Sequence, residues 1–285
     1  MSGVSNVSGM SNLQLRVVSA LVLAAATLGL TFVGGLPFRL LSALIAAAVF
    51  YEWTRMARPE TTSGAAPRAA DLFCDLLMAV FVVALAVGQP ALVLLCLLAV
   101  LAALGAALSA VRGAGQWPAC GLVYAGLSGF CLALLRDGDR SGLVAILFLF
   151  AVVWATDIFA YFVGRAVGGP KLAPSISPGK TRSGALGGAV GGVVAGVALA
   201  AAAGAGNLVM LGAVALLLSV VSQAGDLFES WVKRRHGRKD SGRIIPGHGG
   251  VMDRVDGLVA AALALYVIGW VTASAETPAH GLFPA

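Results

Sequence analysis

Three groups of polar residues stand out in a chain that is otherwise apolar, and the densest runs from Ser219 to Asp256. Ser219, Ser222, Gln223, Asp226, Glu229, Ser230 and Lys233 recur at steps of three and four, which lines them along one helix face. Asp226 sits where the apolar run stops. A basic loop, KRRHGRKDSGR, carries Arg234 and Lys239, and IIPGHGGVMDRVDG follows. Asp253 and Asp256 are three apart, so they share a face if a helix begins near Met252, and a helix start favours their charge. The second group is WATDIFAYFVGR, in which Trp154, Asp157, Tyr161 and Arg165 fall on one face. The third is GGPKLAPSISPGKTRSG, whose prolines and glycines around Ser177, Lys180 and Thr181 suit an anion-accepting turn before a helix.

These residue types point to one chemistry. Asp226, Asp253 and Asp256 can converge at one membrane–water boundary beside a cationic loop. An oxygen-only donor set suits Mg²⁺, which usually takes one or two carboxylates plus substrate phosphates. Lysines and arginines suit a polyphosphate. Together they are the equipment of phosphoryl and nucleotidyl transfer. The PGKT stretch is not a Walker loop, because Pro174 stands where that pattern needs glycine. His248, between two glycines, is a candidate nucleotide contact. His236 reads as a surface residue, and His280 carries no functional indication. Cys74, Cys96, Cys120 and Cys131 lack CxxC spacing and read as buried small hydrophobes, with no disulfide framework or zinc site.

The elements that position these groups follow from composition. Of 285 residues, 59% are hydrophobic and 11% charged, against about 25% charged in soluble domains. Apolar segments run over about 17–34, 38–53, 72–88, 91–110, 119–135, 142–164, 184–203, 207–225 and 257–274. Several exceed the roughly 18 residues that cross a hydrocarbon core, and alternating strands are absent, so helices satisfy the backbone in lipid. The expected fold is all-α, a polytopic integral membrane protein with about nine transmembrane helices. The first segment is longer than a signal-peptide core and lacks a small-residue cleavage site, which predicts a retained helix.

Basic residues test the count. Sixteen of the 19 fall on one side: Arg16, Arg55, Arg58, Arg68, Arg112, Arg165, Lys171, Lys180, Arg182, Lys233, Arg234, Arg235, Arg238, Lys239, Arg243 and Arg254. Only Arg39, Arg136 and Arg140 fall on the other. The positive-inside rule then predicts a cytoplasmic N-terminus and a multi-pass protein of the cytoplasmic membrane with its active site inside. Residues 1–141 read as scaffold helices and 142–285 as the catalytic region with two cytoplasmic loops. Asp157, costly at a helix centre by about 2.5–3.5 kcal/mol, is expected to face protein or a watery cavity.

The stretch Ser230 to Asp256 resembles the signature of the phosphatidate cytidylyltransferases, or CDP-diacylglycerol synthases. The matching residues are Ser230, Lys233–Arg234, Lys239–Asp240, Gly242, Pro246, His248–Gly249–Gly250 and Asp253–Arg254–Val255–Asp256. The likeness extends upstream through Asp157–Arg165 and Ser177–Thr181, covering about residues 150–275. It implies cytidylyl transfer from CTP to phosphatidic acid. It further implies that Asp226 and Asp253 hold Mg²⁺ with Asp256 beside them, and that Lys233, Arg234 and Lys239 bind phosphates. Asp157 and the Ser177–Lys180 loop would help seat the nucleotide, with Tyr161, Thr181, His248 and Arg254 as further substrate contacts. The loop departs from the family's usual Ser-Pro-Lys-Lys-Thr at Gly179, and Ser183 stands where an acidic residue is usual. Partners implied are CTP, phosphatidic acid and membrane lipid, with no nucleic acid; a second cation and a homodimer stay open. A CDP-alcohol phosphotransferase would carry more charge after Gly257, where LVAAALALYVIGW has none. A CTP-dependent lipid kinase differs in product. A transporter would show paired broken helices in two repeats, and none is found.

Overall fold

The computed structural model describes residues 12–56, 69–112, 115–136, 138–245 and 249–283. His248 and Pro246, and the loop arginines Arg58 and Arg68, lie outside them. Among the described residues the chain forms nine α-helices: α1 Asn12–Val33, α2 Gly35–Met56, α3 Ala69–Ala86, α4 Ala91–Val111, α5 Trp117–Arg136, α6 Arg140–Val167, α7 Arg182–Ala202, α8 Leu208–Arg235 and α9 Met252–Thr272. Each apolar segment read from the sequence is one of these helices. The chain is a polytopic all-α membrane protein. Seven helices are long and apolar enough to cross a membrane; the apolar parts of α1 and α3, Val17–Val33 and Leu72–Ala86, are shorter.

The only sheet among the described residues is a hairpin between α6 and α7, with β1 Lys171–Ala173 pairing antiparallel to β2 Ser177–Thr181. The sequence suggested a turn here. Pro174 opens the three-residue turn at 174–176, Pro178 lies within β2, and only a few residues on each side are left to pair.

Helix starts are capped by short polar side chains, which accept from the otherwise unpaired first amides. Asp139 accepts from Gly142 N at the start of α6, Thr181 from Gly184 N at α7, and Asn207 from Met210 N at α8. α9 differs, since its N-cap Val251 has no side-chain acceptor of its own.

The largest helix interface is α6 against α7. Gly184, Gly188, Gly192 and Gly196 recur every fourth residue on α7. Cβ atoms there would lie 2.7 Å from Ala160 O, 2.7 Å from Thr156 O, 2.4 Å from Thr156 Oγ1 and 2.8 Å from Val152 Cγ2. The stripe lets the two backbones touch where lipid offers no hydrophobic drive between helices. α5 and α9 fill the centre, while Leu21, Leu44, Val83, Leu186 and Val190 point outward as a lipid-facing surface does. Cys96 and Cys120 are also exposed, so only Cys74 and Cys131 are the buried small residues the sequence suggested. At the end of the bundle away from the hairpin, Arg136 donates to Thr31 O at 2.6 Å and holds the end of α1.

Candidate functional site

The polar stripe of α8 faces protein along its whole length. Ser219 accepts from Thr156 of α6 at 2.7 Å, and Gln223 donates to Ala185 O of α7 at 3.3 Å. One turn on, Asp226 pairs with Lys180 of β2, and Ser230 donates to Asp226 at 3.4 Å. Lys233 then reaches α9, 2.7 Å from Asp253 Oδ1. Thus the hairpin, α8 and α9, far apart in the chain, meet through alternating ammonium and carboxylate groups.

α8 and α9 come together at two glycines. A Cβ at Gly225 would lie 2.6 Å from Ala260 Cβ and 3.0 Å from Asp256 O, and one at Gly257 would lie 2.9 Å from Ser222 O. Asp226 and Asp256 are the chain neighbours of these glycines, so the crossing sets how closely their backbones approach. Asp256 feels the charges of Asp226, Asp157 and Lys233; Asp157 feels those of Asp226 and Lys180. Asp157 is exposed at the edge of this cluster. Gly225→Ala is expected to push the helices apart and slow the enzyme on the order of tenfold to a hundredfold, measured as turnover per folded protein in detergent; an unchanged rate would deny the crossing its role.

Asp253 is held differently. Besides Lys233, its carboxylate accepts from Gly250 N at 2.9 Å and from Ser241 N at 3.0 Å. Gly249 stands at φ 84°, a left-handed turn that glycine takes without strain, and Ile245 N donates to Gly249 O at 2.9 Å. Asp226 and Asp256 flank the crossing glycines, while Asp253, one turn back on α9, is engaged by Lys233 and two amides. Among the described residues, no three acidic, histidine or cysteine side chains form a ready metal cage.

Other expected site residues lie on the hairpin, the basic loop and the adjoining helix ends. Ser177 and Lys180 lie on β2. Thr181 is buried, its hydroxyl committed to capping α7, and Ser183 donates to Gly168 O beside it. Tyr161 is 59% exposed and accepts from Arg165 at 2.9 Å, so Arg165 is engaged there and not with Asp157. Arg234 donates to Ile176 O of the hairpin tip at 3.4 Å. Lys239 and Arg254 are exposed at the loop and at the first turn of α9. His236 is half-buried rather than superficial, packed edge-on against Trp117 with ring centroids 4.7 Å apart. Burial, with Arg235 and Arg238 adding to it, holds its pKa below the usual histidine range, so it is neutral at pH 7.

Two acidic residues outside the expected set belong to this neighbourhood. Glu229, fully buried, has Oε1 3.0 Å from Lys233 Nζ, an ion pair at an angle unsuited to a hydrogen bond. It sits in the polar stripe, so its spacing pointed to it. Glu52 of α2 is 1% exposed and accepts from Ser241 Oγ at 3.1 Å, Val251 N at 3.0 Å and Met252 N at 2.8 Å. Glu52 thereby ties α2 to the start of α9 and to Ser241.

A multi-pass bundle whose acidic and basic groups gather at one helix crossing fits a membrane enzyme acting on phosphates. The cytidylyltransferase family model matches residues 14–272, and the chain belongs to that family. It is 49% identical to the phosphatidate cytidylyltransferases of Brucella suis and Brucella melitensis, over 96% of this chain and 99% of each of those proteins. The phosphatidate cytidylyltransferase of Pseudomonas aeruginosa is 36% identical over 90% of this chain and 98% of that protein.

Proposed function

We propose that the protein transfers the cytidylyl group of CTP to phosphatidic acid, giving CDP-diacylglycerol and pyrophosphate for phospholipid synthesis. The observation that carries this reading is the chain of paired charges from Lys180 through Asp226 and from Lys233 to Asp253, beside the α8–α9 crossing. Relatives similar over nearly their whole length bear the same activity in their names.

The donor set fits a hard divalent cation, because it is all oxygen and comes from two helices that cross at Gly225 and Gly257. Mg²⁺ would be held by Asp226, Asp253 and Asp256. When bound it supplies positive charge where the reacting phosphates meet.

The remaining work falls to side chains of this chain. A lipid phosphate, as a monoester with a second pKa near about 6, is largely dianionic at neutral pH and needs little help from a base. Its obstacle is repulsion by the triphosphate. Lys180, Lys233, Arg234 and Lys239 offset that charge and hold the β- and γ-phosphates. An oxygen of the phosphatidate bonds to the α-phosphorus of CTP as the bond from that phosphorus to the α–β bridging oxygen breaks, and pyrophosphate leaves. Asp157, Ser177, His248 and Arg254 seat the nucleotide, with Tyr161 at the rim; Thr181 fixes the hairpin on α7. Sixteen basic residues on the site's side support a cytoplasmic site in the cytoplasmic membrane.

Two labelled substrates test the reaction. With phosphatidic acid and Mg²⁺, label in the α-phosphate of CTP is expected in extracted lipid, and label in the γ-phosphate in pyrophosphate. Gamma label in the lipid would instead mean a CTP-dependent kinase.

A further inference from the structure

We infer that Glu52 is a positioning residue for this reaction: its carboxylate anchors the start of α9 and the Ser241–Gly242 turn, and through them sets Asp253. The inference rests on the cytidylyl-transfer reading only for its kinetic consequences; the anchor itself is a matter of geometry.

A helix leaves its first amides unpaired unless something accepts from them. α9 has no side-chain cap of its own, since Val251 occupies the N-cap. Glu52 supplies the missing acceptor from another helix, 199 and 200 residues away in the chain, taking Val251 N and Met252 N. A negative charge at a helix start is also favourable. The carboxylate is 1% exposed, and a buried charge is tolerated only when its donors are in place, so Glu52 and the α9 start hold each other. The backbone closes tightly around it: Cβ atoms at Gly242 and Gly250 would lie 2.4 Å from Oε1 and 2.5 Å from Oε2.

The donors around Glu52 are interleaved with those around Asp253. Ser241 gives its hydroxyl to Glu52 and its N–H to Asp253. Gly250 N donates to Asp253, and the next amide, Val251 N, donates to Glu52. Moving one carboxylate displaces the donors of the other. Asp253 in turn holds Lys233, so the effect of Glu52 reaches the paired charges without its touching substrate.

Glu52→Gln keeps the shape but turns an NH₂ towards donors. Partners one step removed from a metal ligand typically alter affinity or rate by about 10–100-fold. Two readouts test the role on the purified full-length protein in detergent. Amide hydrogen exchange is expected to quicken across residues 241–256 in Glu52→Gln while α4 and α5 exchange as before. Turnover is expected to fall about 10–100-fold, with a higher Mg²⁺ concentration needed for half-maximal rate. A merely structural role would lower the folded fraction alone, leaving rate per folded molecule and Mg²⁺ requirement unchanged, and that result overturns the inference, as does unaltered exchange. If Glu52→Gln does not fold, Ser241→Ala removes one donor and is expected to show the same two shifts at smaller size; their absence in Ser241→Ala overturns the inference equally. Wild-type protein that forms no CDP-diacylglycerol would refute the assigned reaction and leave the exchange comparison standing.

Discussion

Asp226→Asn is expected to lower CDP-diacylglycerol formation at least about a hundredfold to a thousandfold while leaving the protein folded. The side chain is 27% exposed, and its partner Lys180 is 30% exposed, so losing the pair costs little stability; ion pairs open to water contribute about 0–1 kcal/mol. Asparagine has the same shape and still accepts from Ser230. What disappears is one negative charge at the α8–α9 crossing, beside Asp256 and Asp157. The check is the initial rate of lipid labelling from CTP, with thermal unfolding in detergent as the control for folding. Near-wild-type turnover would remove Asp226 from the site.

Lys233→Met is expected to fail for a different reason. Lys233 lies between Glu229, fully buried, and Asp253, whose side chain is 8% exposed. Removing the ammonium leaves two carboxylates without their shared counter-charge, and breaking such a buried pair typically costs about 3–5 kcal/mol. The variant should therefore lose both stability and activity. Adding Glu229→Gln to it removes one of the stranded charges, so the double variant is expected to regain much of the stability and little of the activity. Thermal unfolding of wild type and the two variants reads the first effect, and turnover per folded protein reads the second. A Lys233→Met protein as stable as wild type would show that the charges are better solvated than their burial implies.

The helices were legible because long apolar runs and their punctuation depend on nearby residues alone. The α8 stripe was legible for the same reason, its three- and four-residue spacing marking a face that must meet protein. The hairpin was not, since strands of three and five residues broken by prolines carry no alternation to read. Glu52 was a lone acid in an apolar run, and its donors lie far along the chain. Position along the apolar runs placed Asp226, Asp253 and Asp256 in one neighbourhood, yet which carboxylate takes which partner depends on how α8 and α9 cross. That crossing is written in Gly225 and Gly257, and the α6–α7 contact in the fourfold glycine spacing of α7. Both patterns are visible in the sequence, but only as close-packing requirements whose partners the fold supplies.

Binding of Mn²⁺ as a probe for Mg²⁺, followed by its electron spin resonance in the presence of CTP, measures the shared carboxylate centre without any turnover. Wild-type protein is expected to bind the ion, and Asp226→Asn on α8 and Asp256→Asn on α9 should each weaken that binding by about tenfold or more. Equal Mn²⁺ affinity in wild type and both variants would mean that the two helices hold no ion between them.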